Sequence, residues 1–158
     1  MLYRLINLCV ATLLLSGSTP GQSFPGVSQI PVELTPVGHW RTFDDVTGKV
    51  TSIVVIREEN GKLGGEIEKL VDPDPADHNP RCLRCEGDAK GKPLIGLRIL
   101  WNLRRDTDQW TGGRILDPDN GKVYRCDITL EDRGRRLRVR GFIGFSVLGR
   151  TQYWLRVE

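Results

Sequence analysis

The sequence predicts an all-β chain folded as an eight-stranded antiparallel up-and-down barrel, and three observations carry that expectation. Apolar and polar residues alternate in short runs from residue 38 onward, and no segment there sustains a helical period. Turn signals separate the runs at Thr47-Gly48-Lys49, Asn60-Gly61-Lys62, Asn120-Gly121-Lys122 and Arg133-Gly134-Arg135. Each places glycine where a tight hairpin wants a positive φ. The 18 glycines and 9 prolines are spread between the apolar runs rather than pooled, as many short strands require.

In chain order the expected strands lie at 38–43, 50–58, 62–70, 94–103, 109–116, 123–131, 135–143 and 145–157. The first opens on Gly38-His39-Trp40. Gly64-Gly65 in the third, Gly112-Gly113 in the fifth, and Gly141 and Gly144 towards the end permit the bends a small barrel needs. In the sixth, Cys126 alternates with Tyr124 and Ile128, which marks it as a small core residue. In the seventh, Arg136, Arg138 and Arg140 share one face and Leu137 and Val139 the other. That arginine face reads either as a solvated, edge-protecting surface or as an anion-binding patch. The eighth closes on Trp154-Leu155-Arg156. A meander of eight strands closes by pairing its last strand with its first, which sets an arginine over an indole and makes Trp40, Trp154 and Arg156 structural residues. Hairpins join most neighbours. The exception is 71–93, a Pro- and Asp-rich connection carrying His78, Cys82 and Cys85.

A chain of 158 residues fits one domain, and 39% apolar with 27% charged residues excludes wholesale disorder. The formal charge of +3 is modest and implies no nucleic-acid partner. Arg4 followed by the apolar run 5–15 and then by small residues has the form of a signal peptide. A buried N-terminal helix is the competing reading. The run is short of the roughly 20 residues a spanning helix needs, so no stable membrane span is expected after cleavage. Cys9 lacks the small residues that would mark a lipid-anchored cysteine. The expected organisation is a signal peptide at 1–22, a flexible leader at 23–36 and a single barrel domain at 37–158 in an exported protein.

No constellation of catalytic groups emerges. Cys82-Leu83-Arg84-Cys85 in an oxidising compartment reads as a disulfide, with Cys126 a free buried thiol or an alternative partner. A thiol-redox role would need the first cysteine at a helix N-terminus, whereas this pair sits in a loop among strands. His78, Cys82 and Cys85 with Asp77 or Cys126 make a weak zinc set, and neither metal nor cofactor is expected. Gly144-Phe145-Ser146 begins like a nucleophile elbow, but Leu148 replaces its second glycine and both histidines precede it. Asp44-Asp45 before Thr47-Gly48 reads as turn capping. The run 117–121 lacks the closing glutamate of a calcium loop and reads as a hairpin turn.

Several motifs in order carry a resemblance. They are Trp40-Arg41-Thr42-Phe43-Asp44-Asp45 with Thr47-Gly48-Lys49, the paired cysteines, Gly112-Gly113-Arg114-Ile115-Leu116-Asp117-Pro118 with Gly121-Lys122-Val123-Tyr124, and the ending Val139-Arg140-Gly141-Phe142-Ile143-Gly144, then Gly149-Arg150-Thr151-Gln152 and Trp154. Over about residues 38–156 the chain resembles the domain of unknown function 2147 family. The resemblance implies a periplasmic or secreted protein of a Gram-negative bacterium with a lipocalin-like barrel, and it brings no established activity or substrate. Lipocalin-like barrels often hold small hydrophobic or amphipathic ligands, so such a ligand is the expected partner by analogy of fold. Arg140, Arg150, Gln152, Tyr124, Asp44 and Asp117 lie in the matching motifs and are candidates for a polar cluster at the barrel mouth, with packing and strand closure as their competing roles. Trp101, Tyr124, Ile128 and Phe145 are candidates for the cavity lining. A non-catalytic ligand-binding barrel is the leading reading. An envelope structural or interaction protein with a filled barrel is the alternative, and a thiol-redox protein using Cys82 and Cys85 stands third.

Overall fold

The computed structural model describes residues 34–145 and 148–158; the expected signal peptide and the leader as far as residue 33 lie outside the described residues. Eight strands follow one another around a closed barrel in chain order: β1 (Gly38–Phe43), β2 (Val50–Glu59), β3 (Lys62–Leu70), β4 (Arg98–Asp106), β5 (Gln109–Asp117), β6 (Lys122–Glu131), β7 (Arg136–Phe142) and β8 (Gly149–Arg156). Every neighbouring pair is antiparallel. Trp40 pairs with Arg156 and Arg41 with Leu155, which joins β1 to β8 and satisfies both edges of the sheet.

Two strands start later than the sequence pattern suggests. Residues 94–97 form a turn in which Leu97 N donates to Leu94 O at 3.1 Å and Gly96 N to Ile67 O at 2.7 Å, so β4 begins at Arg98. Before the eighth strand, Leu148 N donates to Phe145 O at 3.0 Å and Ile143 N to Leu148 O at 3.4 Å, so β8 begins at Gly149. Local hydrogen bonds won in both places over an apolar pattern that also suits a strand.

One half of the barrel is solid. Trp40, Val54, Ile56, Leu63, Leu100, Leu103, Ile128 and Leu137 fill it with essentially no exposure, each contributing about 1.5–3 kcal/mol by burial. Close packing here depends on Gly113, where any Cβ would overlap the side chain of Leu103. Arg156 seals this end. Its guanidinium carbon lies 4.3 Å from the centre of the Trp40 ring, while Nε donates to Gly134 O at 2.7 Å, NH1 to Val37 O at 2.9 Å and NH2 to Thr35 O at 2.7 Å. Trp40 Nε1 donates to Pro36 O at 2.8 Å, and Pro36 is buried. The last residues of the expected loose leader are therefore tied beneath the barrel. Burial holds the Arg156 pKa below the ordinary arginine value.

The expected arginine face of β7 is paired outside the barrel. Arg136 and Arg138 both reach Glu131, at 2.8 Å and 3.4 Å, and Arg140 donates to Thr151 Oγ1 at 2.8 Å.

Candidate binding cavity

The other half of the barrel is hollow. A cavity of about 590 Å³ opens at the end formed by the β1–β2 and β5–β6 hairpins, the connection into β4 and the β7–β8 turn. Ligand pockets commonly span about 300–1,000 Å³. Residues of successive strands supply the wall: Ile67 and Leu70 of β3, Ile99 of β4, Ile115 and Leu116 of β5, Tyr124 of β6 and Val139 of β7. The Trp154 indole belongs both to the deep end of the cavity and to the buried core. Gly141 of β7 faces the space without a side chain, and a Cβ there would meet Ile115 and Tyr124 at ordinary contact distances of 3.5 and 3.7 Å.

Polar groups are few and ordered. On one wall Thr42 of β1 and Ser52 of β2, both buried, share a hydroxyl contact of 2.7 Å, and Thr51 Oγ1 lies 2.9 Å from Thr42 Oγ1. A second set runs from the deep end to the rim. Trp154 Nε1 donates to Gln152 Oε1 at 3.3 Å, and Gln152 Nε2 donates to Asp45 Oδ1 at 3.0 Å. Asp45 pairs with the guanidinium of Arg150, whose NH1 also lies 3.8 Å from Asp117 Oδ2. Asn120 Nδ2 donates to Asp117 Oδ2 at 2.9 Å and to the Tyr124 hydroxyl at 3.1 Å.

The rim carboxylates differ in environment. Asp44 Oδ1 caps its own turn, accepting from Thr47 N and Thr47 Oγ1 at 2.7 Å each and from Val46 N at 3.2 Å. The Thr47 bonds hold its pKa below the ordinary aspartate value. Asp119 is shifted the other way, raised first by lost hydration and then by the neighbouring charges of Asp117 and Asp44. Among the described residues no side chain donates a hydrogen bond to the Asp119 carboxylate.

A covalent clasp braces the hairpin that carries two of these acids. Cys82 and Cys85 are joined by a disulfide, and both are buried. Arg84 between them donates from NH1 to Asp119 O at 2.8 Å, while the Cys82 sulfur lies 3.5 Å from Pro118 O. The connection between β3 and β4 thereby fixes the β5–β6 turn. Cys126 is free and buried on β6, and burial pushes its thiol pKa upward.

Of the residues singled out from sequence, Tyr124, Arg150, Gln152, Asp44 and Asp117 line the cavity. Four others do not. Trp101 sits half-buried on β4 opposite Arg114. Ile128 points inward but lies in the solid half of the barrel. Arg140 lies on the outer face of β7, because Val139 and Gly141 take the inward positions around it. Phe145 is 83% exposed in the turn before β8. Trp154, expected to be structural, also lines the cavity, as do Asp45, Asp119, Thr42, Ser52 and Val139. Val139 was legible from its alternation with the β7 arginines. Asp119 was not, since its contact with the distant cysteine loop leaves no local mark in the sequence.

A closed eight-stranded barrel with one solid end, an arginine stacked on a tryptophan beneath it and an open cavity above has a lipocalin-like architecture. Residues 38–156 match the family described as "Uncharacterized protein conserved in bacteria (DUF2147)", and the chain belongs to that family. Among solved structures it is similar to protein HP1028 from the human pathogen Helicobacter pylori, described as belonging to the lipocalin family. That likeness has a TM-score of 0.69 at 19% identity and covers 80% of this chain and 85% of the other, which establishes a shared fold. No curated protein matches the chain.

Proposed function

We propose that this protein is a non-catalytic binding module for a small hydrophobic or amphipathic molecule, acting in the periplasm or outside the cell. The observation that carries this reading is the 590 Å³ cavity, apolar along its walls and open at one end of an otherwise packed barrel. Burying apolar surface in such a space supplies binding energy at about 25 cal/mol per Å². The few polar groups near the mouth supply orientation. The apolar run at 5–15 and the buried Cys82–Cys85 disulfide support an exported, oxidising setting.

Native mass spectrometry of protein purified gently from its own cells tests the reading, together with titration of an apolar fluorescent probe. We expect a retained small molecule or saturable probe binding. Gly141→Leu, which projects a side chain into the cavity from a strand position, should abolish either. Bare mass and no probe uptake would overturn the proposal.

One observation favours a second reading, an envelope interaction protein. Val46, Leu83, Ile143, Phe145 and Leu148 are exposed apolar residues in the connections at the mouth end. On that reading polar substitutions at Val46 and Leu83 would disrupt a complex while leaving probe binding unchanged.

A further inference from the structure

We infer that the molecule held in this cavity is an organic cation, with an apolar body and a protonated amine or quaternary ammonium group at the mouth. The inference rests on the binding-module reading above: the cavity is the site, and the groups at its rim decide the sign of the ligand's charge.

Among the described residues, the charged side chains lining the cavity are Asp44, Asp45, Asp117, Asp119 and Arg150, four carboxylates to one guanidinium. This runs against the chain as a whole, which carries a formal charge of +3. Arg150 is the natural partner for an anionic headgroup, yet Asp45 and Asp117 already engage it. Drawing it towards a ligand carboxylate would cost both aspartates their cationic partner. The next cation, Arg84, donates to the Asp119 main-chain oxygen and leaves the Asp119 carboxylate without a donor among the described residues. The Asp119 pKa is raised first by lost hydration and then by the neighbouring charges of Asp117 and Asp44, which outweigh the lowering by Arg150 and Arg84.

One aromatic group suits the same partner. Tyr124 lines the cavity with its hydroxyl at the rim beside Asn120, and aromatic rings attract alkylammonium groups that have shed their water. A mouth lined by an excess of one sign of charge also concentrates ligands of the opposite sign. A fatty-acid-like anion would meet the reverse field on its way in.

Three probes with the same decyl chain separate the possibilities below their micellar concentrations: decyltrimethylammonium, decyl maltoside and decanoate. Titration followed by tryptophan fluorescence or calorimetry should rank them cation, neutral, anion, with about tenfold or more between the extremes at low salt. The gap should narrow as salt is raised. Asp119→Asn should weaken the cation several-fold and leave the neutral probe unchanged, while Gly141→Leu should abolish all three, placing binding inside the barrel. Equal affinities, or a preference for decanoate, would overturn the charge assignment while the cavity reading stands. Failure of all three probes, the neutral one included, would overturn both.

Discussion

Gly121 packs directly beneath the carbonyl oxygen of Arg84, so closely that a Cβ at residue 121 would overlap it. The hairpin bearing Asp117 and Asp119 and the loop bearing the disulfide meet at this point. Gly121 also holds a φ of +75°, a conformation L side chains adopt with strain. Gly121→Ala should therefore cost at least about 2 kcal/mol, combining a left-handed alanine with a backbone clash. Gly48→Ala, at a φ of +68° but with open space around its Cβ, should cost about 1 kcal/mol. Urea unfolding of the two variants checks the contrast; equal losses would remove the special role of the Arg84 contact.

Removing the Cys82–Cys85 bond should loosen the same junction. The bridge spans a sequence separation of only 3, so its entropic contribution is about 2 kcal/mol. A Cys82→Ala, Cys85→Ala variant should lose that much stability while keeping the barrel's circular dichroism. Hydrogen exchange at residues 118–121 should accelerate, since the turn loses its brace.

Arg156 is expected to matter more than a typical surface arginine. Truncation to alanine strands three main-chain carbonyls and uncovers the Trp40 ring, a loss of about 3 kcal/mol. Arg156→Lys keeps the charge but not the planar fork, and should recover less than half of that in denaturant titration.

Asp119 and Asp44 should give opposite pH signatures. The folded state raises the Asp119 pKa, so it favours the protonated form, and the resulting stability is lost as pH rises through that pKa. Asp119→Asn should thus be more stable than the parent at pH 7, with the gain fading towards about pH 4. The folded state lowers the Asp44 pKa, so its stabilisation is present above the unfolded value and lost as pH falls through the folded one. Asp44→Asn should be less stable at pH 7, and the deficit should shrink in acid. Paired unfolding curves across pH check both signs.

Cys126 should be silent until the barrel opens. With Cys9 replaced by serine, an aromatic disulfide reagent at about pH 8 should label no thiol in the native protein and one after unfolding without reductant. Labelling in the native state would mean that the core around β6 opens readily.

The barrel was legible in the sequence because its signals are local. Asn60-Gly61 and Asn120-Gly121 announce their hairpins, and Leu137 and Val139 alternate cleanly with arginines. Strands expected to start at 94 and 145 start at Arg98 and Gly149, because a turn and a strand share the same apolar composition there. The site was harder to read for a different reason. Tyr124 and Ile128 stand on one face of one strand, yet one lines the cavity and the other the solid core, because depth along the barrel axis leaves no periodic mark. Asp119 acquires its surroundings from residues more than thirty positions away.

The seal made by Arg156 fixes where the described chain joins the barrel. Thr35–Val37 and the residues after Arg156 meet at the solid end, while the mouth lies at the opposite pole. A probe, surface linker or fused reporter attached after residue 158 would thus stand clear of the opening. Immobilised that way, the protein would present its cavity outward, and single-molecule or surface-capture measurements of uptake would sample an aperture turned away from the support.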